Sequence, residues 1–192
     1  MRFKFFLTAA LALIAAPASA HTGHDVLGFS TGFLHPILGI DHVIAMIAVG
    51  LWAAMLGGRA IYVLPLVFPL VMIFGGALGM NGVALPQVEP MIAVSGIVLG
   101  LVVALYVKPA LWVSALMVGM FAVFHGHAHG TEIPAASNAF GYAAGFVIAT
   151  ALLHAAGIGI GRLIGAKSGE YVARAAGAVI ALTGAAFLFG AV

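Results

Sequence analysis

The feature that most constrains this chain is a series of six long apolar runs separated by short connections. Each run has about the 20 residues that a helix needs to cross the hydrocarbon core of a bilayer. Apolar residues occur on every side of each run and do not alternate along it, which favours helices over barrel strands. The runs are approximately Leu34–Leu56, Ala60–Met80, Glu89–Val107, Pro109–Gly126 (reaching Ile133 if the helix continues), Ser137–Gly161 and Tyr171–Ala191. We therefore expect an all-α membrane bundle with six transmembrane helices.

The composition supports the same class of protein. Of the 192 residues, 64% are hydrophobic and only 6% are charged, too few to cover the surface of a water-soluble domain. This excludes a soluble enzyme, a nucleic-acid-binding protein and a disordered linker. Six spans would use about 120 residues, so no soluble catalytic domain fits beside them. The expected surroundings are a lipid bilayer, and the sequence does not specify an oligomeric state.

Residues 1–20 have the pattern of a secretory signal peptide. Arg2 and Lys4 precede an apolar stretch of about a dozen residues, and Ala18-Ser19-Ala20 resembles a cleavage site. Cleavage after Ala20 would leave one transmembrane domain of residues 21–192, with its N-terminus outside. An uncleaved signal anchor is the alternative, and it would add a seventh span.

The basic residues predict the orientation of the six spans. With an outside N-terminus, the loops at 81–87 and 127–137 face outward, and neither contains Lys or Arg. The basic residues that follow the leader all fall in or beside the inward loops: Arg59, Lys108, Arg162, Lys167 and Arg174. Positive charge on the cytoplasmic side is the usual pattern. We therefore expect a bacterial inner-membrane protein with both termini in the periplasm.

Most of the eight histidines fall into three clusters on the outer side. The first comprises His21 and His24, beside Asp25 at the expected mature N-terminus. Such a segment can capture a divalent ion, but it can equally be a solvated tail.

The second cluster is His35, Asp41 and His42, at the start of the first run. Pro36 suits the first position of a helix, which would place His35 near the cap. On a straight helix the two histidines share a face but are too far apart for one ion, and Asp41 is turned away from both. They are then successive stations for an ion, unless a bend at Gly39 or before the proline brings them together. A carboxylate inside a membrane is costly and is by default a functional candidate; structural hydrogen bonding is the alternative.

The third cluster contains His125, His127, His129 and Glu132. In a continuing helix His125, His129 and Glu132 occupy one face, and a histidine pair four residues apart commonly presents two imidazoles to a metal. His127 joins them only if the chain is extended. A histidine-rich surface loop without a function is the alternative for this cluster.

His154 lies alone in the fifth run. It is a later binding position for the ion, a proton-transfer site, or a histidine hydrogen-bonded to a backbone carbonyl. Imidazole and carboxylate ligands suit Ni²⁺, Co²⁺, Zn²⁺ and Cu²⁺. The chain has no cysteine, which argues against Cu⁺. We expect the methionines to serve packing, and no prosthetic group.

Two motifs resemble signatures of the HupE/UreJ family. His35-x5-Asp41-His42 lies within HPILGIDHVIAMIAVGLWAA, and FHGHAHGTE at residues 124–132 matches the second signature, F-H-G-x-[Ala/Val]-H-G-x-Glu. The leader followed by His-x-Gly-His is also similar to family members. The resemblance implies a nickel permease, often associated with hydrogenase or urease systems. It assigns His35, Asp41, His42, His125, His129 and Glu132 to the transport site, and His127 to a variable position.

The expected function is therefore uptake of a divalent metal ion from periplasm to cytoplasm, without enzymatic activity. The chain contains no Walker A motif for nucleotide hydrolysis. Three alternatives remain: an intramembrane metal-dependent hydrolase, a haem-binding membrane anchor, and a periplasm-facing accessory protein or sensor that binds metal without moving it.

Overall fold

A computed structural model describes residues 26–133, 138–163 and 169–190. These residues form seven helices and no strand: α1 (Val26–Leu38), α2 (Ile40–Leu56), α3 (Ala60–Met80), α4 (Val88–Ala104), α5 (Leu111–Glu132), α6 (Ala139–Leu163) and α7 (Gly169–Leu188). The all-α class is thus confirmed. The expected signal peptide, together with His21 and His24, lies outside the described residues.

Membrane-spanning capacity differs among the helices. Helices α3, α5, α6 and α7 are each long and apolar enough to cross a bilayer. Helices α1 and α2 reach that length only together, as a pair bent by 77°, and the apolar helix α4 has 17 residues. Six spans therefore remain a prediction.

The first span begins earlier than expected. We expected the helix to start near Pro36, but that proline lies inside α1, which begins at Val26. A proline in a helix frees only the carbonyl four residues before it, here that of Gly32. The segment before Pro36 stays helical because it packs against α6, where a Cβ on Gly32 would lie 2.1 Å from the carbonyl oxygen of Tyr142. Packing of α1 against α6 therefore determines where this helix begins, and the preference of Pro36 for a helix start does not.

The break between α1 and α2 falls at Gly39, which has extended dihedral angles (φ −81°, ψ 110°). An ideal Cβ at this position would lie 3.0 Å from Oδ1 of Asp41 and 3.3 Å from Nδ1 of His42. The absence of a side chain at residue 39 thus leaves room for the two polar groups at the start of α2. The resulting bend is the alternative that the sequence left open, and it changes the distance between His35 and His42.

Glycines let neighbouring helices approach closely. A Cβ on Gly126 of α5 would lie 2.0 Å from the carbonyl oxygen of Met72 on α3, and one on Gly100 of α4 would lie 2.4 Å from the backbone nitrogen of Ala181 on α7. Helix α6 makes similar contacts with α1 and α2. Such backbone proximity is typical of helices packed in a membrane. The close backbone contacts therefore hold the helices that carry the histidines near one another.

The distribution of side chains is inverted relative to a soluble domain. Among the residues that the structure describes, eight polar ones are buried: His42, Ser95, Ser114, His125, His127, His129, Thr150 and His154. Large apolar residues such as Trp112, Phe140 and Leu163 are 70–87% exposed. An apolar exterior around a partly polar interior is what a lipid environment favours.

Basic residues gather at one end of the bundle. The loops containing Arg59 and Lys108 are neighbours, since Arg59 and Pro109 line a common cavity. Arg174 donates a hydrogen bond from Nε to the carbonyl of Ala104, 3.0 Å away, at the same end. The histidine-rich segments lie at the opposite end, where α2 begins and α5 ends.

Candidate metal centre

Three imidazoles from three different helices converge at the end of the bundle opposite Arg59 and Arg174. His35 of α1, His42 of α2 and His129 of α5 each offer a ring nitrogen within 4.8 Å of the other two. Nε2 of His42 contacts Nε2 of His129 directly. The rings of His35 and His42 are 5.9 Å apart because the bend at Gly39 folds α1 back towards α2. The two histidines of the first motif can therefore share one ion.

Asp41 lies behind this group. Its Oδ2 atom is 2.8 Å from Nδ1 of His42, so the expectation that Asp41 is turned away from His42 was wrong. The two residues are neighbours in the first turn of α2, where the side chain of Asp41 reaches back to the adjacent ring. A carboxylate beside Nδ1 favours a proton on that nitrogen, which leaves the lone pair of Nε2 directed at His129.

Glu132 supplies a second negative charge. Its Oε2 atom lies 3.5 Å from Nε2 of His35 and 3.5 Å from Nδ1 of His129. The helix α5 continues through Glu132, so His125, His129 and Glu132 share a face as the spacing predicted. Because the Glu132 side chain is half exposed, it can meet an arriving cation before the buried imidazoles do.

His125 lies one helical turn deeper than His129 and is completely buried. The hydroxyl of Ser95 donates to the carbonyl of Ile92 at 2.6 Å, so it accepts the N–H of His125 Nε2 at 2.9 Å. Nδ1 of His125 then carries the lone pair, and it has no hydrogen-bond partner. The ring centroid is 5.2 Å from that of His42, although His125 does not join the group of three.

His127 turns away from the cluster. Its Nε2 donates a hydrogen bond of 2.7 Å to the carbonyl of Val83, in the loop between α3 and α4. Because this segment is helical, His127 lies apart from His125 and His129, as the sequence predicted for a helix. Its side chain ties a loop to α5.

Two aromatic residues of α6 pack against the histidine cluster, and the sequence did not indicate them. The ring of Phe146 lies 4.3 Å from that of His129, and the ring of Tyr142 lies 6.1 Å from that of His35. Their spacing of four residues indicates that they share one side of a helix. Only the packing of α6 against α1 and α2 shows that this side faces the histidines. Their burial excludes water from one side of the imidazoles.

His154 lies apart from this group, buried within α6. Phe68 of α3 separates the two regions: its ring lies 5.5 Å from that of His125 and 5.4 Å from that of His154. Neither nitrogen of His154 completes a hydrogen bond, although the carbonyl of Pro65 is nearby.

Among the described residues, three cavities are lined by members of the cluster or by Asp41. One is lined by His129 with Tyr142 and Phe146, and another by His35 with residues of α1. The third is lined by Asp41 and Glu89, together with residues at the end of α7. Two carboxylates at this third cavity raise the local concentration of cations. The sequence indicated no role for Glu89, whereas the fold places it at the same cavity as Asp41.

Apolar helices around a buried group of imidazoles define a multi-pass membrane protein with the ligands of a transition metal. The chain belongs to the HupE/UreJ family, whose model (HupE / UreJ protein) matches residues 9–187. It is 50% identical to Protein HupE of Rhizobium leguminosarum bv. viciae over 186 residues, which cover 96% of this chain and 97% of the relative. No solved structure matches the chain. The family is associated with nickel and cobalt transport and is not a family of enzymes.

Proposed function

We propose that this protein is an inner-membrane permease that takes up Ni²⁺, with Co²⁺ as the closest alternative, from periplasm to cytoplasm. The observation that carries the proposal is the convergence of His35, His42 and His129 from three helices. His129 is 87 positions from His42 in the sequence, and three ring nitrogens held this close together can bind one ion. A divalent ion of the Ni²⁺, Co²⁺, Zn²⁺ and Cu²⁺ group suits these ligands.

The charges around the imidazoles support a divalent cargo. Asp41 and Glu132 are each within ion-pair distance of a histidine of the group, so two carboxylates offset the charge of one divalent ion. We propose that the three imidazoles bind the ion, that Asp41 orients His42, and that Glu132 receives the ion at the opening. His125, with its unpartnered Nδ1, takes the ion next.

We propose that the chain has six spans and a cleaved leader of residues 1–20, with the cluster facing the periplasm. The bent pair α1–α2 then counts as one span, and α4 is a short one, within the range of about 17–25 residues for spanning helices. The position of Arg59, Lys108 and Arg174 at the opposite end agrees with positive charge in the cytoplasm.

The membrane potential is sufficient as a driving force. Two positive charges that cross about 100 mV gain roughly 4.6 kcal/mol, which corresponds to about three decades of accumulation. No nucleotide hydrolysis is needed for uptake on this scale. Histidines in successive positions let the ion exchange ligands step by step as it moves inward.

The test is radiometal uptake by the purified protein in liposomes with an inside-negative potential, comparing nickel, cobalt, zinc and copper. We expect uptake of nickel by the wild type and its loss in His42→Ala and His129→Ala. Thr183→Ala is the matched control, since this exposed hydroxyl only bonds the carbonyl of Val179 in its own helix. Equal uptake by the wild type and both histidine variants would contradict the proposal. Metal binding without uptake would indicate an accessory protein, and metal-dependent turnover of a lipid or peptide would indicate a hydrolase.

A further inference from the structure

One face of α6 leads from the histidine cluster into the interior of the bundle. Tyr142, Phe146, Thr150 and His154 follow one another at intervals of four residues, so they form a continuous stripe that turns about 120° around the helix axis from first to last. All four are buried, with exposed fractions of 0–3%. At a rise of about 1.5 Å per residue, the stripe is about 18 Å long.

The polar groups of this stripe lack partners. The hydroxyls of Tyr142 and Thr150, and both ring nitrogens of His154, are buried without a hydrogen bond. Buried polar groups in folded proteins are nearly always satisfied, and each exception calls for an explanation. Three such residues along one buried stripe, beginning beside the histidine cluster, point to a polar species that occupies or passes along it.

The inner part of the stripe offers a set of neutral ligand atoms. Thr150 and His154 are one turn apart, and the carbonyl of Pro65 lies near the ring of His154. That carbonyl accepts no helical hydrogen bond because the residue four positions later is Pro69, which has no N–H. The ring of His154 thus has the carbonyl of Pro65 near it and the hydroxyl of Thr150 one helical turn away.

We propose that Thr150, His154 and the carbonyl of Pro65 form an inner station for the transported divalent ion, reached from the outer cluster past Phe68. This inference rests on the proposed function and extends it by a second binding position. The ion keeps part of its hydration shell there, since three neutral ligands do not fill the coordination sphere of Ni²⁺ or Co²⁺.

The two positions differ in the charge around them. The acidic residues of the described chain all lie in the first or last turn of a helix: Asp41, Glu89, Glu132 and Glu170. The outer cluster thus has carboxylates beside it, and the inner station has none. A neutral site holds a divalent ion weakly, which suits release towards the cytoplasm, because conduction requires sites that the ion can leave.

A single-cysteine variant tests whether metal reaches this position. The natural chain contains no cysteine, so His154→Cys creates one thiol as a unique reporter. Co²⁺ is added to the purified full chain in detergent, and the sulfur-to-cobalt charge-transfer absorption in the near ultraviolet is recorded. Leu152→Cys is the matched control, because residue 152 is on the same helix at similar depth but is 55% exposed on the outer surface.

We expect the charge-transfer band in His154→Cys and not in Leu152→Cys. We also expect His154→Ala to lower Ni²⁺ uptake about tenfold, in the range usual for residues of metal sites. Should His154→Cys fail to fold, the near-isosteric Thr150→Cys gives the same readout one turn away.

The failure of this inference is distinguishable from failure of the proposed function. If the cysteine variants still bind Co²⁺ at the outer cluster but show no charge-transfer band, and His154→Ala takes up Ni²⁺ at the wild-type rate, the inner station is overturned. The unpartnered groups would then hold buried water. Absence of uptake by the wild type, or no effect of His42→Ala, would instead overturn the permease.

Discussion

The carboxylate of Asp41 lies 2.8 Å from Nδ1 of His42, while Nε2 of the same ring contacts His129. A carboxylate behind a histidine fixes the ring orientation and places the proton on the nitrogen that faces away from the metal. The pair is thus arranged to present a lone pair of His42 to an ion held with His129. This gives Asp41 a role through His42 in addition to its charge.

Replacement of Asp41 by Asn should reduce nickel uptake about 10–100-fold, the usual cost of losing such a supporting carboxylate. The amide has nearly the same shape but lacks the charge that stabilises the Nδ1–H form of His42. The measurement is initial uptake in liposomes, with Glu170→Gln as the control because Glu170 pairs with Arg174 at the opposite end. An Asp41→Asn variant as active as Glu170→Gln would contradict this role.

His127 and His129 should respond differently to the same substitution. Glutamine at residue 127 can still donate an N–H to the carbonyl of Val83, so His127→Gln should retain uptake within about twofold of the wild type. His129→Gln removes an imidazole of the group of three, and we expect a loss of about tenfold or more. Equal losses in the two variants would show that both histidines bind the ion.

The space at Gly39 should be necessary for the arrangement of Asp41 and His42. A Cβ at residue 39 would press on the Asp41 carboxylate at 3.0 Å, so Gly39→Val should lower the affinity for Ni²⁺ and reduce uptake several-fold. Gly159→Ala is the control, since a Cβ there meets no atom within 4 Å. Titration of the purified proteins with Ni²⁺ measures the affinity, and an unchanged value for Gly39→Val would refute the prediction.

Nickel uptake should fall as the external pH is lowered from about 7.5 to about 4. Imidazole ordinarily titrates near pH 6.5, and its protonated form has no lone pair for a metal. Protons therefore compete with the ion at low pH, and uptake should rise with pH and level off above the titration. The membrane potential is clamped during the measurement so that only the ligands change. Uptake that is independent of pH over this interval would argue against imidazole ligation.

The sequence was sufficient for the class of fold and for much of the candidate site. Long apolar runs predict helices because lipid leaves the backbone no other partners, and the four longest helices occur where they were expected. The spacing of His125, His129 and Glu132 correctly placed them on one face, and the same spacing set His127 apart.

Other features depend on tertiary contacts that no local pattern contains. The extension of α1 upstream of Pro36 follows from its packing against α6, and the proline signal alone gave the wrong start. The proximity of His35 to His129 joins residues almost a hundred positions apart, so spacing could not reveal it. The same holds for Tyr142 and Phe146, whose face is defined only by the helices around α6.

The close contact between α3 and α5 should be essential for both stability and the site. A Cβ on Gly126 would lie 2.0 Å from the carbonyl oxygen of Met72 and 2.9 Å from the backbone nitrogen of Gly76. Backbone atoms cannot yield as a side chain can, so Gly126→Ala must push the two helices apart. We expect a loss of about 1–3 kcal/mol in the free energy of unfolding, the usual cost of overpacking.

The same displacement moves His125 and His129, which flank Gly126 on α5, so uptake should fall together with stability. Thermal unfolding in detergent measures the first effect, and liposome uptake measures the second. Gly159→Ala again provides the comparison: with open space at its Cβ, it should be neutral or stabilising by up to about 1 kcal/mol, as alanine is in a helix. If Gly126→Ala unfolds at the same temperature as Gly159→Ala, the two helices are not held at the separation described here.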